Sequence, residues 1–309
     1  MALSGSRDYT RTTRQIIISS MRWLGAIGIG ETPEDAEMVV CMEALNIMLK
    51  GWHHDGIGAW LNQETTLFLE NEGQSYSIGS TGDHATASYG DTELAADASS
   101  GDSTIDVDSI TGIADGDYIS IELDDGTLQW TTVNGTPAGV TVTLDDVLTD
   151  DAAENNDVYF YTTKTTRPLR IFNVRFKRYD GTEIPVDIVP RQLYLDIPIK
   201  SIQTKVNQVY YDPTTTNGTL YVWGTCDDVR DKIVFTSRIL IQDIDSITNH
   251  IDVPVDWLRA VKMNLALEVA PDFEKDPTQF QIVQAERALT KAKAFDREPG
   301  SYIFKLSRR

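Results

Sequence analysis

A block of 75 residues without a single basic side chain constrains the architecture of this 309-residue chain more than any other feature. Residues 83–157 contain 18 aspartates and glutamates and no lysine or arginine, so their net charge is −18. The whole chain has 27 basic and 47 acidic residues and a net charge of −20, which leaves −2 for everything outside the block. So sharp a change of charge indicates domain boundaries around the block.

The pattern inside this acidic block predicts short strands and no helix. Val140, Val142 and Leu144 alternate with polar residues, and Asp124-Asp125-Gly126 is typical of a tight turn between two strands. About five short strands in such a length favour a small antiparallel barrel or sandwich. We therefore expect an all-β domain over residues 83–161, inserted into the rest of the chain.

A pair of amphipathic helices is predicted before the block. Apolar residues recur at helical spacing in residues 7–28 and again in residues 32–51. Thr32-Pro33 is typical of a helix start, since it combines a hydroxyl cap with proline at the first helical position. Gly51 is expected to end the second helix.

A second helix pair is predicted near the C-terminus. One helix begins at Val255 and stops before Pro271, and the last begins after Asp276-Pro277. We expect the two pairs to pack together as one bundle. The apolar residues that would hold this bundle are Ile17, Met21, Leu24, Met38, Met42, Leu45, Leu49, Leu258, Val261 and Leu265.

The predicted fold class is therefore α+β, with a helical bundle, an antiparallel β region and an inserted small all-β domain. The expected segments are the first helix pair with the first β segments (1–82), the acidic domain (83–161), the β region (162–254), the second helix pair (255–295) and a C-terminal arm (296–309).

No sequence pattern is typical of an enzyme. The glycines of Gly25–Gly30 end a helix instead of joining a strand to a helix, so they do not indicate a phosphate-binding loop. His53-His54-Asp55 is interpreted as a loop after the second helix, because adjacent side chains do not converge on a metal ion. We expect no catalytic residue, no cofactor and no metal site.

The aspartates of the acidic block leave two interpretations open. Their oxygens could bind calcium, although no twelve-residue calcium loop that ends in glutamate is present; solvated turns are the simpler interpretation. A net charge of −20 argues against general affinity for nucleic acid or anionic membranes. No stretch approaches the roughly 20 apolar residues of a membrane span, so we expect no membrane association.

Two basic segments are candidates for contact with a partner. Arg7, Arg11 and Arg14 follow helical spacing on one face of the first helix and would face nucleic acid, acidic residues of a partner or solvent. The last 19 residues hold six basic and two acidic residues, with four apolar side chains embedded among them. Such a terminus is frayed or docked on another chain, and the apolar content favours docking. The residues of this predicted docking arm are Tyr302, Ile303, Phe304, Lys305, Leu306, Arg308 and Arg309.

The order of several segments resembles that of phage head-to-tail adaptors, the head-completion or packaged-DNA-stabilisation proteins of short-tailed phages. The resemblance covers residues 1–82 and 162–295, and the acidic block departs from it. It depends on order and spacing, since no single motif is diagnostic. The segments that carry it are Thr32–Ala36, Ala44–Leu49 with Trp52, Gln74–Gly79, Arg167–Ile171, Tyr210–Pro213 and Asn217–Trp223.

The resemblance implies a structural protein of the virion head–tail interface, assembled in the host cytoplasm. Relatives form a cyclic homo-oligomer, commonly a dodecamer, that joins the portal protein to the tail nozzle or tail fibre proteins. The ring extends the channel through which packaged DNA passes without sequence-specific binding, and it helps to retain that DNA. C-terminal segments of relatives clasp the portal, which agrees with the docking arm predicted above.

Two other functions stay open at this point. The chain could be another structural tail component, such as a nozzle or tube protein, although nozzles are expected to be mainly β. Alternatively, the acidic block could make it a soluble module that binds calcium or a glycan.

Overall fold

Four of the five α-helices in the described residues come from the two ends of the chain. The structure is a computed structural model that describes residues 9–226 and 228–295. Among these residues, 9–61 and 241–295 form one compact unit, and 62–226 with 228–240 form a second unit. The helices are α1 (Thr13–Leu24), α2 (Asp35–His54), α3 (Arg191–Leu195), α4 (Leu258–Glu268) and α5 (Gln279–Phe295); all except α3 belong to the first unit.

Helix α1 is shorter than the predicted span of 7–28 because capping groups fix both ends. The Thr12 hydroxyl accepts a hydrogen bond from the Gln15 backbone amide, and the Gln15 side chain accepts one from the Thr12 amide. This reciprocal capping box starts the helix at Thr13. Gly25 ends it with a φ of 82°, a left-handed conformation that glycine adopts at little cost.

Helix α2 begins later and ends later than predicted. The side chain of Glu37 accepts a hydrogen bond from the Glu34 amide at 2.8 Å, so Glu34 is the N-cap and the predicted start at Thr32-Pro33 is wrong. Gly51 does not end the helix, which continues to His54. His53 and His54 therefore lie in the last helical turn and not in a loop.

Helix α4 contacts the three other helices of its unit. The buried side chain of Trp257, just before α4, packs against Trp52 and Trp60, with ring centroids 5.8 and 5.2 Å away. Ala260, Ala288 and Ala292 belong to the same cluster, and their small side chains allow α4 and α5 to approach each other closely. The packing of these helices thus depends on tryptophan rings and alanines as well as on the predicted apolar stripes.

Short strands make up most of the second unit, where four sheets are formed. One sheet has the order β11-β10-β15-β1-β3, and a second has the order β12-β13-β14-β2, with β12 and β13 parallel and the other pairs antiparallel. The acidic block supplies the antiparallel sheet β4-β9-β6-β7 and the pair β5-β8. The strands are β1 (Asn62–Phe68), β2 (Ser75–Ile78), β3 (Ala85–Thr86), β4 (Gly90–Glu93), β5 (Thr104–Asp106), β6 (Tyr118–Glu122), β7 (Leu128–Thr132), β8 (Thr141–Thr143), β9 (Asp157–Tyr161), β10 (Arg170–Lys177), β11 (Glu183–Pro185), β12 (Asp187–Ile188), β13 (Gln208–Asp212), β14 (Gly218–Trp223) and β15 (Lys232–Arg238).

Two apolar cores support these sheets. The first lies between the five-stranded sheet and the β2-containing sheet, and it includes Leu67, Phe176, Leu220 and Phe235, all fully buried. The second lies inside the acidic block and is made mostly of small and aliphatic side chains such as Ile119, with Phe160 as an aromatic member. The block therefore has an apolar interior of its own, although its surface is strongly acidic.

The predicted fold class, a helical bundle with an inserted all-β domain, is wrong. The chain is mostly β, with four sheets and only short helices in the described residues. Helical periodicity located the helices near the chain ends, but the fold is dominated by pairing between distant segments, such as β1 with β15. The acidic block and the other strands also belong to one compact unit, which the charge boundary did not predict.

Candidate functional site

The apolar residues assigned to the helix stripes lie mainly in the interior of the first unit. Met42 and Leu258 are half-buried, and the other eight are buried. These eight residues therefore hold the helices together and are not available to another chain. A surface for assembly has to be built from other side chains. The buried eight are Ile17, Met21, Leu24, Met38, Leu45, Leu49, Val261 and Leu265.

The outer face of α2 exposes a group of apolar side chains. Asp35, Val39, Glu43 and Ile47 follow one another at intervals of four residues and are all exposed. Val39 is 57% exposed and Ile47 is 61% exposed, with Val40 beside them at 42%. We call these five residues the α2 stripe. A helix with apolar residues on its packed side and on its outer side is typical of one that is covered by a further element.

Sequence analysis missed the α2 stripe although a signal was present. Residues 38–42 read Met-Val-Val-Cys-Met, so apolar side chains occupy nearly every direction around the helix at this point. The predicted apolar stripe of this helix included Met38 and Met42 but neither of the valines between them, Val39 and Val40. A helix that is apolar all round indicates burial on more than one side.

A groove between α1 and α4 has basic residues at its edge. It has a volume of about 460 Å³ and is lined by the apolar side chains of Val255, Leu258 and Met263, beside Arg11 and Lys262. Burial lowers the pKa of Lys262, and the nearby positive charge of Arg11 lowers it further. Two cations held this close create a site that favours a negatively charged group. We call this feature, with Arg259, the basic groove.

Charge is divided unequally between the segments that form these two surfaces. Residues 9–30 contain three arginines and no acidic residue, for a net charge of +3, whereas residues 31–55 contain six acidic residues and one lysine, for −5. The segment that contains α1 and the segment that contains α2 thus have opposite charge. The net charge of −2 outside the acidic block does not reveal this difference, because the charges of such segments largely cancel.

The predicted arginine face on the first helix is wrong in its geometry. Arg7 lies outside the described residues, and Arg11 precedes the N-cap Thr12, so it is not part of α1. Arg14 lies in the first turn and is exposed. Of Arg11 and Arg14, only Arg11 lines the basic groove, together with Arg259 and Lys262. The predicted docking arm, Tyr302 to Arg309, also lies outside the described residues.

An aromatic junction in the second unit joins the acidic block to strand β1. The ring of Phe68 is 2% exposed and lies 4.9 Å from that of Trp130. Because successive strand residues point to opposite faces, Leu67 enters the core between the two larger sheets and Phe68 enters the junction. The junction consists of Phe68, Tyr89, Tyr118, Trp130, Tyr159 and Tyr161, with Leu128 packed against it.

Basic residues beside the junction face the acidic block. Lys232 is 6% exposed, its Nζ lies 3.8 Å from the ring centroid of Tyr159, and it donates a hydrogen bond to the Arg230 carbonyl at 2.9 Å. Burial lowers the pKa of Lys232 to about 8, against the opposing effect of Asp157. The Arg230 guanidinium lies 3.6 Å from the Glu122 carboxylate. The adjoining cleft of about 550 Å³ is lined by both basic and acidic side chains, whose charges offset each other. We therefore interpret it as part of the packing between the acidic block and the neighbouring strands.

Acidic side chains in the block act mainly as hydrogen-bond acceptors at turns. The carboxylates of Asp102, Asp115 and Asp117 accept hydrogen bonds from the backbone amides of Ser99, Gly135 and Ala114, at 2.7–2.8 Å. Such bonds satisfy loop amides between short strands. Among the described residues, no group of three or more His, Cys, Asp or Glu side chains is placed to hold a metal ion.

We expect the stability of the second unit to fall in acid because of His84. Its ring stacks on Trp130 at 3.9 Å, and burial together with Lys164 lowers its pKa to about 3 from the usual 6.5. Between pH 6.5 and 3 the unfolded chain therefore binds a proton that the folded chain does not, and the folded state loses stability as the pH falls. Urea unfolding at pH 7 and pH 5 measures this loss. Between these two pH values the free energy of unfolding of His84→Gln should fall by about 1–2 kcal/mol less than that of the unsubstituted chain. Equal changes in both proteins would show that His84 does not titrate in this way.

Comparisons with known proteins add no relative. No family model matches the sequence, and no curated protein matches it. In the part of the chain that the structure describes, none of the helices combines the length and apolar character that a membrane span requires.

Proposed function

We propose that this chain is a structural virion protein, a head-to-tail adaptor that assembles as a ring between the portal and the tail nozzle. In this proposal the ring extends the DNA channel and helps to retain packaged DNA, and the chain has no catalytic role. The nature of the partners comes from the resemblance of the segment order to phage adaptors, so the proposal depends on both the sequence and the surface described above.

The observation that carries the proposal is the exposed α2 stripe. Val39 and Ile47 are more than half exposed in a unit whose interior is otherwise filled by buried apolar and tryptophan side chains. Large apolar residues grouped on one helix face favour contact with another chain. A cyclic ring needs two different faces on each subunit, and the opposite charges of the α1 and α2 segments provide two such faces.

A second candidate is a different tail component, such as a nozzle or tube protein. The mostly β architecture favours it more than the sequence did, because nozzles are expected to be mainly β. A calcium-binding module has less support, since no metal cluster occurs in residues 9–226 and 228–295.

The first test is to mix the purified chain with the portal ring of the same virus and to separate the products by sedimentation. An adaptor is expected to sediment with the portal in a fixed ratio. A nozzle or tube protein should leave the portal peak free and bind only after an adaptor is present. A chain that never sediments with the portal is not a head-to-tail adaptor.

A further inference from the structure

We infer that the α2 stripe of one copy docks in the basic groove of the next copy. This inference rests on the ring proposed above and specifies which two surfaces of the helical unit meet. The contact is heterologous, since the stripe and the groove are different surfaces of the same chain. Repetition of one such contact closes a ring when the rotation per subunit divides a full turn.

Apolar side chains are available on both surfaces. The stripe presents Val39 and Ile47, and the groove presents Val255, which is 46% exposed, with Leu258 and Met263 half-buried beside it. Burial of these side chains against one another would remove them from water and favour association. An isolated subunit leaves both sets of apolar side chains in contact with solvent.

The charges on the two surfaces are complementary. Asp35 and Glu43 alternate with the apolar residues of the stripe, whereas Arg11, Arg259 and Lys262 surround the apolar lining of the groove. Acidic side chains of one copy would therefore meet basic side chains of the next, which fixes the register and disfavours stripe-to-stripe contacts. None of the described carboxylates lies within ion-pair distance of Arg11, Arg259 or Lys262.

A protein partner fits the groove better than nucleic acid does. A site for a phosphate backbone needs charge along its length and little apolar surface. The cations of this groove lie among the apolar side chains of Ile16, Val255, Leu258 and Met263, and the α2 stripe has the same combination with the opposite charge. The second copy is thus the occupant that matches both properties.

Charge reversal tests the inference with two variants. Variant A has a reversed groove (Arg259→Glu with Lys262→Glu), and variant B has a reversed stripe (Asp35→Lys with Glu43→Lys). Each variant alone places like charges at every contact, so its self-association at moderate ionic strength should weaken at least about tenfold. In an equimolar mixture of A and B every alternating contact is again complementary, and assembly should return. Analytical ultracentrifugation over a range of concentrations measures both effects.

A matched control reverses two exposed arginines elsewhere, Arg170→Glu with Arg191→Glu, and should assemble as the unsubstituted chain does. Thermal melting of A and B checks that both are folded. Assembly of A alone or of B alone at the unsubstituted strength would overturn the inference, as would a mixture of A and B that stays monomeric. The inference also fails if the unsubstituted chain is monomeric up to millimolar concentration, or if it binds a labelled 30-base-pair duplex through the groove and variant A loses that binding.

Portal sedimentation of the same proteins separates the two proposals. If the chain sediments with the portal but charge reversal changes nothing, the adaptor function stands and only the stripe-to-groove contact is wrong. If the reversed variants behave as expected but no protein sediments with the portal, the contact stands and the adaptor function fails.

Discussion

Removal of residues 296–309 is expected to abolish binding to the portal ring while the fold of both units stays intact. This segment follows α5 and contains Tyr302, Ile303, Phe304 and Leu306 among basic residues. Aromatic and aliphatic side chains of this kind supply most of the binding energy at protein interfaces when they enter apolar pockets. The loss should therefore be complete, and sedimentation with the portal measures it directly.

Two substituted full-length chains identify the part of the arm that binds. Ile303→Ser with Phe304→Ser removes apolar contacts and should reduce portal affinity at any salt concentration. Lys305→Gln with Arg308→Gln and Arg309→Gln removes the charges and keeps most of the aliphatic stems, so its effect should be larger at low salt and small at high salt, where exposed charges are screened. Undiminished binding after removal of the whole arm would show that residues 296–309 are not the portal contact.

Phe68→Ala is expected to destabilise the second unit by about 3–5 kcal/mol, the range for a large aromatic residue lost from a packed site. Phe68 is almost completely buried, and its ring packs against Trp130, Tyr159 and Tyr161. Its removal would leave a cavity at the position where strand β1 meets the acidic block. The surrounding rings belong to strands with fixed registers, so they cannot close the cavity fully.

Urea unfolding monitored by tryptophan fluorescence measures this loss, because Trp130 lies in the junction itself. Leu193→Ala is a suitable control in the same unit, since Leu193 is 57% exposed and should lose less than about 0.5 kcal/mol. A loss below about 1 kcal/mol for Phe68→Ala would mean that the junction contributes little to the stability of the unit.

Local features of this fold could be predicted from the sequence, whereas long-range ones could not. The apolar period of 3.6 residues located four helices, and the Tyr179–Thr182 turn between β10 and β11 follows from its Asp-Gly pair. Helix ends were less accurate. The Thr12 hydroxyl starts α1 inside the predicted span, and at α2 the Glu37 side chain accepts a hydrogen bond from the Glu34 amide, so the helix begins after the apparent signal at Thr32-Pro33.

The sheet arrangement depends on contacts that a single sequence does not specify. Alternation in β1 indicates that Leu67 and Phe68 face opposite sides, but it does not indicate that one side meets the core between two sheets and the other meets the acidic block. Tyr118, Trp130 and Tyr159 lie on strands β6, β7 and β9. Their assembly around Phe68 makes the block part of the larger unit, and this is why an inserted domain on a helical bundle was the wrong prediction.

The candidate surface was predicted only in part. The apolar periodicity of the helices identified residues that are mostly interior, while the exposed α2 stripe requires knowledge of which side of α2 packs on α4 and α1. The basic groove joins Arg11 to Lys262, two residues far apart in sequence, and was not expected.

Electron microscopy of the chain mixed with the portal ring of the same virus tests the adaptor function most directly. The expected image is a second ring, coaxial with the portal and attached to one end of it, with a continuous channel through both. A portal that stays bare at saturating concentrations of the folded chain, or single copies attached at irregular positions, would contradict a ring-forming head-to-tail adaptor.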